Sequence, residues 1–429
     1  MCYNKYYNHI TGVKHMLASI IPLFDSEMNV KCYSLFTQKE NYFLNTSLLG
    51  VGHLDGSGRI DGLEVVQSMG METLSNDADI FVPVTNISLF ARIEEQCDAP
   101  HNKLILMLDS SVTPEEMYVN RLKELKDMGY KFAMYKLEVS KFEKYKPVLR
   151  LMDYILLNHK YVDMGKAKIY FTNVYPNIRI CAINVNDMAT YERLKAIGCC
   201  DLYEGEFFRN PSNYGEHEVS PLKVNYIKLI NMVNGPDFEL TKAADVIGRD
   251  TALVISLLKI VNRMTRNSTI TSIRHAAAML GEKELKKWIT TAVTEHLYTD
   301  KPSEITRISL LRAKFAENLA PVFSMAMQAN ELFLMGLFSV LDVVLEMPMK
   351  DALEVVFVPD SVREALVDGT GPLAVPLAFI KEYENANWQE ASRMMIVHEL
   401  NMDRVYHAYL DALTWYRNTI IDGDMEIKN

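Results

Sequence analysis

His398-Glu399 opens a His-Glu-x-x-His pattern, which on a helix sets two imidazoles one turn apart around zinc with the glutamate as base. Here the second histidine position is Met402, and His407 lies nine residues beyond His398. The pair therefore reads as a solvated helix face. The six cysteines are Cys2, Cys32, Cys97, Cys181, Cys199 and Cys200, with no Cys-x-x-Cys spacing. That excludes a zinc ribbon, a redox motif and a disulfide framework, and leaves buried free thiols in a reducing compartment. Cys32 and Cys97 would need a histidine beside them to act as nucleophiles, and nothing local supports that role. Gly50-Val51-Gly52 lacks the rest of a phosphate-binding loop and reads as a turn.

Charge narrows the partner classes. The net charge is −10, with acidic and basic residues interspersed. One of the tightest basic clusters, Lys283, Lys286 and Lys287, is offset by Glu282 and Glu284, so nucleic acid is not expected as a partner. Residues 1–15 lack the apolar core of a signal peptide, and no uninterrupted apolar stretch is long enough to span a bilayer. A cytoplasmic chain without membrane insertion is expected. The methionine-rich stretch Met325 to Met335 reads as pliable core.

The elements that must position any site fall into two classes. At 429 residues the chain predicts two or three domains. From about residue 17 to 212, short apolar runs alternate with helical patterns. Ile80 to Val84, Leu104 to Leu108, Tyr154 to Leu157, Lys168 to Thr172 and Ile178 to Ile183 are strand-like, nearly continuous in apolar residues as strands covered on both faces are. Helices are expected over Pro114 to Met128, ended by Gly129, and over Val185 to Ile197, ended by Gly198. After Pro221 amphipathic helices follow one another: Val224 to Val233, Lys242 to Val246, Thr251 to Met264, Ser272 to Leu280 and Lys283 to His296, with Asp250 and Ser272 as N-caps and Gly281 as a stop. The polar segment Asn210 to Ser220 reads as a linker. The predicted organisation is an N-terminal extension over 1–16, an α/β domain over 17–212 and an all-α domain over 213–429.

Both domains resemble known families. Tyr203-Glu204-Gly205-Glu206-Phe207-Phe208-Arg209-Asn210-Pro211 resembles the closing Gln-Gly-Tyr-x-Phe-x-x-Pro element of EAL domains, barrel phosphodiesterases that cleave cyclic di-GMP. Ile21-Pro22-Leu23-Phe24-Asp25 is similar to their opening, and Gly129-Tyr130-Lys131-Phe132-Ala133 to the segment before their paired aspartates. In the second half, Asp237 to Leu240, Ile247 to Leu253, Leu257 to Asn262, Ser272-Ile273, Ala276-Ala277, Leu280-Gly281, Phe333 to Phe338 and Glu382 to Trp388 resemble HDOD domains. The resemblance implies a TIM-like (β/α) barrel of EAL type followed by an all-helical HDOD domain, a known two-domain order.

It also implies where a site would lie. EAL enzymes hold metal ions with carboxylates on the barrel rim. The first glutamate of that set falls on Ser34 and its arginine on Gln38. The asparagine falls on Pro83, the next glutamate on Met107, and the paired aspartates on Tyr135 and Lys136. The following lysine and aspartate fall on Leu156 and Asn158, the later glutamates on Ile183 and Asn186, and the closing glutamine on Glu204. A one-residue slip recovers only isolated acids such as Asp109 or Glu138. In the helical domain, the adjacent His-Asp of HD hydrolases falls on Ser339-Val340. On this reading the chain has no catalytic residues, no metal and no cofactor. The expected function is signal transduction or scaffolding through contacts with other signalling proteins; the second reading is a receptor that binds cyclic di-GMP without hydrolysis, with Lys136 near a phosphate.

Overall fold

The computed structural model describes residues 16–39, 41, 59–209, 221–235, 238–248, 251–264, 270–298, 301 and 303–418. Gly50-Val51-Gly52, the expected linker and the Asp250 cap lie outside them. Eight strands close into a barrel in chain order: β1 (Met16–Phe24), β2 (Val30–Lys39), β3 (Asp79–Pro83), β4 (Leu104–Leu108), β5 (Lys131–Tyr135), β6 (Tyr154–Asn158), β7 (Arg179–Ile183) and β8 (Leu202–Glu204). β1 runs antiparallel to both β2 and β8, and the other neighbours are parallel. The fold is the expected one: a closed barrel followed by helices.

Side-chain parity fills the interior. Cys32, Phe81, Ile105, Met107, Ala133, Tyr154, Leu156, Cys181, Ile183 and Leu202 form one buried cluster, against which Phe36 and Tyr135 also pack. Alternate residues of each strand point inward, so Ser34 follows Cys32, Asn158 follows Leu156 and Glu204 follows Leu202 on the inward side.

Local differences from the sequence reading have physical causes. Lys168 to Thr172 is not a strand but part of the helix Met164–Val174, whose first turn is capped by the Asp163 carboxylate accepting from Lys166 N–H at 3.1 Å. Ala167 and Phe171, one turn apart, are buried while Ile169 is exposed, a helical rather than an alternating pattern. The expected helices begin later than read, at Glu116 and Met188.

Two compact units emerge from the packing. One joins residues 1–212 with 318–326 and 378–414; the other joins 213–317 with 327–377 and 415–429. In the first unit, β8 reaches β1 only at Leu23 and Phe24, leaving the rest of that edge without a ladder. Tyrosines from the C-terminal segment supply partners there. Ala18 N–H donates to Tyr383 Oη at 3.3 Å and Ile20 N–H to Tyr409 Oη at 3.4 Å, while Ser19 Oγ donates to the Glu384 carbonyl at 3.1 Å. Buried edge donors are costly to leave unmade, which gives these helices a role in barrel stability.

The second unit is helical: Pro221–Asn234, Leu240–Ile247, Thr251–Met264, Ile273–Leu297 and Ala329–Phe338 are among its helices. Ser272 caps as expected, and the backbone breaks at Gly281 (φ 74°) inside Ile273–Leu297. Gly336 lets two helices meet closely, since a Cβ there would lie 2.5 Å from the Arg312 carbonyl oxygen. The Asn262 amide donates to the Ile270 carbonyl at 2.9 Å and accepts from its N–H at 2.6 Å. Met335 is core, but Met327 is 99% exposed, so the methionine-rich stretch is core only in its later part.

Candidate functional site at the barrel rim

The C-terminal ends of the parallel strands form the rim on which barrel sites are built. Register sets its layout. Asn158 is opposite Ile183, and the pairing of Ala182 with Tyr203 continues to place Glu204 level with Ile183. Asn158 and Glu204 thus flank one row, with Tyr135 one step lower beside Leu156.

Glu204 is the electrostatic centre. It keeps partial exposure at the rim, yet protein surrounds its carboxyl, and burial pushes it up to about 7 from the ordinary 4.5. The Asn184 N–H donating to the carboxylate and the nearby Lys136 ammonium act in the opposite direction. Lys136 follows β5 with φ 54° and is exposed, its Nζ 4.7 Å from the centroid of the Tyr135 ring. Asn158 Oδ1 accepts from Lys160 N–H at 3.0 Å. His159 Nε2 lies 2.9 Å from the Asn184 carbonyl oxygen, linking the ends of β6 and β7. Asn184 also has positive φ, 61°. No sequence motif marks Asn184; only its position one residue past a buried strand hints at it.

The remaining sequence-derived positions scatter. Ser34 is fully buried in the barrel, and its Oγ has no hydrogen-bond partner among the described residues. Met107 is interior packing, and Pro83 is exposed at the end of β3. Gln38 turns to the C-terminal helices, its Nε2 donating to Ser392 Oγ at 3.2 Å. Asp109 and Glu138 are both exposed, just beyond β4 and β5. Among the described residues no group of three or more His, Cys, Asp or Glu side chains is placed to hold a metal ion.

The closing element has a mechanical role. Gly205 sits at φ 148°, and a Cβ there would lie 2.0 Å from the Val185 carbonyl oxygen. Val185 N–H donates to the Glu204 carbonyl, and Phe207 N–H to the Val185 carbonyl. Phe207 and Phe208 then pack on Phe24 with centroids 5.4 and 4.6 Å apart, and Phe207 stacks on Tyr191 at 4.5 Å. The motif that resembles the family thus closes β8 onto β1 and fixes Glu204.

Other chemistry-bearing residues are accounted for by packing. Burial pushes the Cys32 thiol up to about 12, and the Cys97 thiol also upward. His398 ends the helix Trp388–Val397 rather than standing on its face, and Met402 is buried. In the second unit Ser339 Oγ accepts from Arg312 at 2.7 Å and donates to the Gly336 carbonyl at 2.6 Å, while Val340 is buried.

Residues 219–357 match the family model of the HDOD domain. The HDOD match thus falls on the helical part of the chain, and a closed eight-stranded barrel comes before it in sequence. The uncharacterized protein YuxH of Bacillus subtilis (strain 168) is 26% identical over 360 residues, 82% of this chain and 87% of that protein. The cyclic di-GMP phosphodiesterase CdgJ of Vibrio cholerae serotype O1 is 29% identical over 216 residues, half of each chain. Among solved structures, the PaMucR phosphodiesterase with cyclic di-GMP covers 45% of this chain and 94% of its own at 13% identity and a TM-score of 0.37. BlrP1 of Klebsiella pneumoniae covers 47% and 56% at 11% identity and a TM-score of 0.38.

The likeness to CdgJ corrects one expectation. A chain without enzymatic activity was inferred from positions such as Ser34 and Met107, yet this relative carries the name of a phosphodiesterase. Short motifs locate ligand positions one by one, whereas a rim gathers its groups from many strands, so the motif-level substitutions do not decide the matter. No helix among the described residues is long and apolar enough to cross a membrane.

Proposed function

We propose that the protein works in cyclic di-GMP signalling, with the barrel rim as the dinucleotide site and the HDOD domain as the surface for protein contacts. The single observation that carries the first half is the grouping of Glu204, Lys136 and Asn158 at the ends of β8, β5 and β6. An exposed ammonium suits a phosphate oxygen. A carboxylate accepts from the amino edge of guanine, and an amide can serve either partner. The named activity of CdgJ supports this ligand. In the helical unit Met327, 99% exposed, is an apolar side chain that a partner could cover.

The test is calorimetric titration of the full chain with cyclic di-GMP, with and without magnesium, followed by chromatography of the products in the same samples. Binding is expected, weakened about tenfold by Lys136→Ala, the scale of one lost charge-assisted contact. Absence of saturable binding, or binding indifferent to both Lys136→Ala and Glu204→Gln, would remove the rim as the site. For the HDOD domain, a partner captured by the wild-type chain is expected to be lost with Met327→Lys.

A further inference from the structure

The second unit contains a cavity of about 460 Å³ that belongs to none of the positions above. Beyond the break at Gly281, the helix Ile273–Leu297 turns Lys283, Lys286 and Lys287 to its wall. The end of Pro221–Asn234 contributes Asn234, and Ala329–Phe338 contributes Asn330, Phe333 and Leu334. The volume lies within the range of small-molecule sites.

Its polar groups are mostly donors. Lys283 is exposed and has no ion-pair partner among the described residues. Lys286 pairs with Glu282 at 3.0 Å, and Lys287 shares Glu317 with Lys314 at 2.5 and 2.8 Å. Even with those two glutamates counted, and with Glu284 exposed on the same helix outside the lining, the wall keeps an excess of positive charge. Asn234 Nδ2 is buried and makes no hydrogen bond among the described residues. Burial also lowers the Lys287 ammonium, which Glu317 draws back up. Beside these groups the wall is apolar: Phe333 is buried, with the Lys287 Nζ 4.9 Å from its centroid, and Leu334 adjoins it.

We propose that this cavity binds a small phosphomonoester whose apolar body lies on Phe333 and Leu334. A phosphate dianion offers three acceptor oxygens, matching donors that line the cavity from separate helices: Lys283 with Lys286 from one, the exposed Asn330 from another. A carboxylate presents its two oxygens in one plane and carries a single charge, a poorer complement to this excess of positive charge. Along the chain Glu282 and Glu284 offset the lysine cluster. In the fold Glu282 is tied to Lys286 and also lines the cavity, while Lys283 beside it has no ion-pair partner among the described residues.

The experiment is calorimetric titration of the full chain with phenyl phosphate, inorganic phosphate and phenol. Phenyl phosphate is expected to bind saturably, inorganic phosphate about tenfold more weakly, and phenol not measurably. Lys283→Ala and Asn330→Ala should each weaken phenyl phosphate about tenfold, and Lys283→Arg should retain most of the affinity. Circular dichroism confirms that each variant is folded, and cyclic di-GMP titration of the same variants should be unchanged. No saturable binding of phenyl phosphate overturns the proposal, as does binding indifferent to both alanine variants. Equal affinity for inorganic and phenyl phosphate overturns the apolar part of the site.

Discussion

Replacing Glu204 by glutamine should change the pH dependence of stability in a direction set by the rim. In the folded chain the carboxyl loses its proton near pH 7, and in the unfolded chain near its ordinary 4.5. Between those values the folded state holds more proton, so the favourable contribution of Glu204 is complete below 4.5 and lost as pH rises through about 7. At about 1.36 kcal/mol per pH unit, the interval corresponds to about 3 kcal/mol at most. Partial solvent access at the rim reduces this, leaving an effect of about 1–3 kcal/mol. Glutamine keeps the shape and carries no charge at any pH. The variant should therefore match the wild type at about pH 4 and exceed it by that amount at about pH 8, measured by urea unfolding across a pH series. Lys136→Met should widen the gap at high pH, because the ammonium is what partly offsets the burial. A wild-type-minus-variant difference that stays constant from acid to alkaline pH would refute the assignment of Glu204 to a protein-enclosed environment.

Further outcomes follow from the packing. Gly205→Ala puts a Cβ 2.0 Å from the Val185 carbonyl oxygen on a backbone at φ 148°, so a loss of about 3 kcal/mol or more is expected, read as a fall in Tm or in soluble yield. Tyr383→Phe and Tyr409→Phe each strip an acceptor from a buried β1 N–H and should cost about 1 kcal/mol apiece in denaturant titrations. The double variant should depart from the sum, because the two rings are 5.1 Å apart. Cys32, with its thiol pushed up to about 12 inside the barrel, should resist iodoacetamide in the folded protein and be alkylated once unfolded, as mapped by peptide mass spectrometry.

Strands buried on both faces were the most legible part of the fold. Leu104 to Leu108 is apolar throughout and is a strand with every residue buried. The same rule misread Lys168 to Thr172, because a run of five apolar and polar residues holds too little periodicity to separate a strand from one turn and a half of helix; burial of Ala167 and Phe171 decides it only once neighbours exist. Helices of the second unit were read well where caps are explicit, as at Ser272 and the break at Gly281. The rim was legible only as a set of positions. Its chemistry depends on which inward residues share a level, and that is a property of register between strands distant in sequence. Asn184 and Lys136 acquire meaning through positive φ and proximity to Glu204, neither of which leaves a local signature.

The closing segment shows how one short motif can serve two ends. Gly205 admits the Val185 carbonyl where a side chain would block it, and Phe207 and Phe208 then seal against Phe24 and Tyr191. Those contacts hold the end of β8 at one height, and the height places the Glu204 carboxyl near Lys136. The C-terminal tyrosines act at the opposite side of the same seam, meeting the β1 donors that the short β8 leaves open. A three-residue β8 is therefore tolerable only because both ends of the seam are finished by other parts of the chain. This explains why residues 378–414, beyond the matched HDOD segment, group with the barrel. It also makes the rim sensitive to them: a change at Tyr383 or Tyr409 that loosens β1 should reach Glu204 through the β1–β8 pairing at Leu23, and so alter cyclic di-GMP titrations as well as stability.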